Sequence, residues 1–71
     1  MDNYHFNKSQ KVFINDSIKK ALQEQREEVK FWVDEAEKTN DLQTKRSFRN
    51  MAECHVKQVE ELEQMLREIN E

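Results

Sequence analysis

Residues 48–69 read FRNMAECHVKQVEELEQMLREI. Within them Phe48, Ala52, His55, Val59, Leu62, Leu66 and Ile69 recur at alternating steps of four and three, which on a helix draws one continuous stripe of six apolar residues and a histidine. Such a stripe needs cover of its own length. The segment before it supplies that cover, because Ile18, Leu22, Gln25, Val29, Trp32 and Ala36 follow the same alternation. Thr39, Asn40 and Asp41 interrupt both patterns, and a connection so short forces the two helices to lie antiparallel. The spacing predicts an all-α antiparallel two-helix hairpin, with helix 1 over 9–38, a turn at 39–41 and helix 2 over 42–70. Residues 1–8, with Tyr4, His5 and Phe6, show no period and are expected to form a flexible arm.

Composition agrees with an all-helical chain. In 71 residues there is no Gly and no Pro, and 38% are charged, so the punctuation that tight hairpins and phosphate-cradling loops require is missing. The regular spacing of the apolar residues separates the chain from a disordered polyampholyte. A chain this short builds a core of only about 3–5 kcal/mol, which points to oligomerisation.

The net charge of −3, from 12 bases and 15 acids, offers no basic excess for a phosphate backbone, so nucleic acid is not an expected partner. The basic cluster Lys45, Arg46 and Arg49 is expected to be paired internally with acids of the first helix. Cys54 is the single cysteine, no apolar run approaches the ~20 residues that span a bilayer, and Met1–Asn7 carry no basic stretch followed by an apolar one. The expected compartment is the cytoplasm, with no membrane partner.

If the chain turns near residue 40, residues at equal height sum to about 80. Trp32 then meets Phe48, Val29 meets Ala52, Leu22 meets Val59 and Ile18 meets Leu62. The two polar seam positions, Gln25 and His55, meet each other as one polar core layer, which leaves neither group unsatisfied. By the same sum Lys19 and Lys20 are expected to pair with Glu61 and Glu60, and Lys45 and Arg46 with Glu35 and Asp34. Ser9 is the expected N-cap of helix 1. Asn40 is expected either to close helix 1 in the left-handed conformation or to open helix 2 in a capping box with Gln43.

The seam does not use every apolar residue. Met51 and Met65 flank it on one side of helix 2 and Val56 on the other, while Phe31 and Val33 stand outside the seam of helix 1. One partner helix cannot cover that width. Two hairpins packed as a four-helix bundle would cover most of it, so a homodimer is expected. A different protein seated on the same residues is the competing expectation, since Met-bearing apolar surface suits helix-in-groove binding.

No catalytic constellation or cofactor motif appears. Cys54 and His55 diverge by about 100 degrees on a helix, and the positions that could join His55 at one ion are Met51, Ala52, Gln58 and Val59, none of them a metal ligand. The stretch WVDEAEKTND (32–41) followed by FRNMAECHVKQVEELEQML (48–66) resembles in cadence the helical hairpin of ferritin-like proteins. That resemblance implies a metal-binding bundle whose second helix carries Glu-x-x-His; here the residue three before His55 is Ala52, so that ligand is missing. The expected function is a small non-enzymatic protein-binding regulator, adaptor or inhibitor, of a size familiar from bacteria and phages, acting through Phe31, Val33, Met51, Val56 and Met65. A ferritin-like metal-binding bundle is the alternative, and a nucleic-acid-associated regulator the weaker one.

Overall fold

A computed structural model of the chain describes residues 7–70. It contains two helices, α1 (Lys8–Lys38) and α2 (Leu42–Asn70), packed against each other as a hairpin, and no strand among the described residues. Tyr4, His5 and Phe6 lie outside those residues.

Helix α1 starts ahead of the expected Ser9. Asn7, extended at φ −72° and ψ 172°, is the N-cap: its side chain accepts from the Gln10 amide at 2.8 Å, while the Gln10 side chain accepts from the Asn7 amide at 3.0 Å. This reciprocal pair needs a side chain of the Glu or Gln type three residues after the cap. Asn7 has Gln10 there, whereas Ser9 has Val12. Asn7 and Lys8 therefore belong to the start of the helix rather than to an arm.

The turn also uses a different residue from the one expected. Thr39 leaves α1 in an extended conformation at φ −102° and ψ 142°, and no described residue has positive φ, so Asn40 does not close the helix in the left-handed region. Asp41 opens α2 instead. Its Oδ2 accepts from the Thr44 amide at 2.8 Å and the Thr44 hydroxyl at 2.6 Å, and its own amide donates to the Thr39 hydroxyl at 3.2 Å. A charged acceptor at a helix N-terminus outcompetes the neutral Asn40 amide next to it. The Thr44 hydroxyl first, and the Thr44 amide second, hold the Asp41 carboxyl below its ordinary range.

Along the seam the two ends differ in material. At the open end Ile18, Leu22 and Ile69 are buried, with Ile14, Val59, Leu62 and Leu66 packed on them. Towards the turn the buried residues are Ala36 and Ala52, whose small side chains leave room for rings. There Trp32 lies against Phe48 with centroids 5.5 Å apart, and Phe31 meets Trp32 edge-on at 5.0 Å. The hairpin measures 51 × 22 × 11 Å, so it is a ribbon about one helix thick. Among the described residues no large side chain is completely enclosed, because each seam has cover on one side only.

Candidate interaction surface

The polar layer of the seam forms where the register places it. Nδ1 of half-buried His55 donates to Oε1 of Gln25 at 2.6 Å, a strong short contact between the helices. A second polar clasp joins them at the open end. Asn15 and Asn70 exchange two amide hydrogen bonds, at 3.0 and 3.2 Å, and Asn70 also donates to the Leu66 carbonyl at 2.8 Å. Stepping back three from Ile18 lands on Asn15, so the heptad pattern points to it; only its polarity hides it. One seam group is not satisfied: the indole N–H of Trp32 is buried without a partner.

The ion pairs expected from equal height do not form among the described residues. The salt bridge that joins the helices is Arg26 to Glu63 at 2.9 Å, and Glu35 takes Lys38 of its own helix at 3.2 Å. The reason is geometric. A constant sum fixes height along the hairpin but not the side on which a residue stands. Lys19 and Glu61 share a height yet project from opposite flanks, since heptad positions adjacent to one edge of the seam meet only their equivalents on the other helix.

Arg26–Glu63 marks one flank directly. Val33 lies one heptad after Arg26 and Val56 one heptad before Glu63, so both valines stand on that same flank. Phe31, Met51 and Met65 occupy heptad positions on the opposite one. The five candidate residues are between 40% and 50% exposed, which leaves each with surface to offer, but they form two separate surfaces and not one continuous patch.

Charge divides along the same line. On the valine flank α2 carries Arg46, Arg49 and Arg67 with Glu53, Glu60 and Glu63, and α1 carries Lys19, Arg26 and Lys30 with Asp16 and Glu37. That flank is close to neutral. On the methionine flank the acids are Glu24, Glu28, Glu35, Glu61 and Glu68, while the single base, Lys38, is already bound to Glu35. Phe31 itself borders an open hollow lined by Glu24, Gln25, Glu27 and Glu28. Two further residues, Ile14 and Ala21, occupy the heptad positions next to the seam on this flank and are partly exposed. They continue its apolar line, a signal the sequence carries in the seven-residue step from Ile14 to Ala21; the next step lands on Glu28, which ends it.

The remaining chemistry is sparse. Cys54 is exposed, on the methionine flank three residues after Met51. Among the described residues no three side chains of His, Cys, Asp or Glu type gather where they could hold a metal ion. No helix among them is long and apolar enough to cross a membrane. The chain matches no family model, no curated protein and no solved structure.

Proposed function

We propose that this chain is a small non-enzymatic protein-binding regulator, adaptor or inhibitor that works through the apolar residues outside its seam. The observation that carries the reading is the exposure of Phe31, Val33, Met51, Val56 and Met65 at 40–50% on a ribbon whose two helices already use their facing stripes on each other. Large apolar side chains standing in rows beside a packed seam are what a helical interaction module presents to a partner.

Self-association is part of the proposal. Among the described residues no large side chain is fully enclosed, so a second hairpin laid on the first would add the missing layer and make a four-helix bundle. The valine flank suits that copy, because its nearly balanced charges offer both signs to a second copy and Val33 and Val56 supply apolar contact across a two-fold axis. The methionine flank then remains for a different protein.

Affinity capture on the wild-type chain and on a Phe31→Ala/Met51→Ala variant tests the proposal. The expected result is a protein retained by the wild type and released by the variant, with the helical circular dichroism of the variant unchanged. Capture indifferent to the double substitution contradicts it. Loss of helicity would return Phe31 and Met51 to the fold and remove the surface.

A further inference from the structure

We infer that the methionine flank is a groove for one kind of occupant, a basic amphipathic helix from another protein. This deepens the proposed function and rests on it. The floor of the groove runs along the hairpin from Ile14 and Met65, through Ala21 and the polar Gln58, to Met51 and Phe31, and unbranched methionine side chains adapt to whatever apolar side chains enter.

Length fits the occupant. Met51 and Met65 are fourteen residues apart on α2, about 21 Å at 1.5 Å per residue, so a helix of about 18 residues covers both with a turn to spare. Three or four apolar residues spaced at three and four on that helix would meet the floor.

Charge selects its chemistry. Glu24 rims the groove on α1 and Glu61 and Glu68 on α2, Glu28 interrupts the α1 side of its floor, and among the described residues the only base on this flank is held by Glu35. A second copy placed here would set these glutamates against their equivalents without a base to receive them, and like charges across an interface disfavour the pairing. Lysines or arginines flanking the apolar stripe of an incoming helix would instead find a carboxylate on either side. The neighbouring valine flank, built on the same helices with nearly balanced charges, carries no such bias, so the selectivity belongs to one face and not to the net charge of the chain.

The test uses the full chain and three synthetic helical peptides of about 18 residues, with leucine at three-and-four spacing and the other positions filled by lysine, glutamine or glutamate. Isothermal titration is run at about 50 mM and about 300 mM salt, either side of physiological screening. The lysine peptide binds, the glutamate peptide does not, and the glutamine peptide binds at least about tenfold more weakly than the lysine one, with salt closing most of that gap. Glu24→Gln/Glu61→Gln weakens the lysine peptide about fivefold, whereas Glu53→Gln/Glu60→Gln on the valine flank, the same change in net charge, leaves it within about twofold. Phe31→Ser/Met51→Ser weakens it by about tenfold or more.

Equal losses from the two glutamine variants would mean diffuse attraction and overturn the inference. Equal binding of the lysine and glutamine peptides would also overturn it, while leaving the protein-binding reading in place. A wild-type dimer that Phe31→Ser/Met51→Ser dissociates would assign this flank to a second copy, again against the inference. Failure of all three peptides to bind removes the groove.

Discussion

The two flanks of the hairpin share the same helices, length and seam, yet they are different surfaces. One carries Val33 and Val56 beside the Arg26–Glu63 bridge, among charges of both signs. The other carries Phe31, Met51 and Met65 among glutamates. The seam decides the fold and is indifferent to either flank. What distinguishes them is carried by residues one or two heptad positions away from it, where substitution costs little stability. A helical hairpin of this kind can keep one frame and change its interactions independently on each side.

The comparison breaks first if the seam fails. Leu22, 4% exposed in the largest apolar cluster, should lose about 2–4 kcal/mol on replacement by Ala, the range for truncating a buried leucine. In a core this small, urea titration followed by circular dichroism should show helicity lost in one step, taking both flanks with it. A variant that keeps its full helicity with an unchanged midpoint would mean that the open-end cluster does not hold the helices together.

The polar layer gives the next effect. Gln25→Leu or His55→Leu alone leaves a half-buried partner without its hydrogen bond and should cost about 1–2 kcal/mol, whereas the double replacement should recover most of that loss by turning the layer apolar. Denaturant midpoints of the four proteins complete the cycle, and simply additive losses would show that the 2.6 Å contact contributes nothing of its own.

Smaller still is the effect of acid on the turn. The folded-state pKa of Asp41 is held below its unfolded value by Thr44, so the cap contributes fully above the ordinary carboxylate range and its contribution is lost as pH falls through the depressed value. Melting temperature should decline on acidification through and below about pH 4, and Asp41→Asn should keep a cap at neutral pH while flattening that limb. An unchanged acid limb in the variant would detach the effect from Asp41. The least change of all is expected at the flank marker: Arg26→Ala should cost under about 1 kcal/mol, as exposed pairs do, and leave the lysine peptide bound as before. Weaker peptide binding in that variant would blur the two flanks into one.

Much of the frame is legible in the sequence because it depends on periodicity alone. Strict four-three steps place Trp32 against Phe48 and Gln25 against His55, and the contacts at 5.5 Å and 2.6 Å follow from the register. The caps are less legible, since several neighbours are chemically eligible: Gln10 three positions on decides for Asn7 over Ser9, whereas Asn40 has Gln43 in that place and the charge of Asp41 decides instead. The ion pairs are illegible for a different reason. Summed residue numbers give height, while a salt bridge also needs the right side of the helix, which is why Arg26 finds Glu63. Asn15 is polar in a seam position and Asn70 stands beside the last seam residue, so neither declares itself part of the clasp without its partner.

One measurement tests the asymmetry of the flanks most directly. With the methionine ε-methyls and valine methyls labelled with carbon-13, NMR spectra are recorded as the lysine peptide is added. The shifts of Met51 and Met65 should move together to saturation while those of Val33 and Val56 stay in place. Valine methyls that move as far as the methionines, or alone, would contradict the assignment of separate roles to the two flanks.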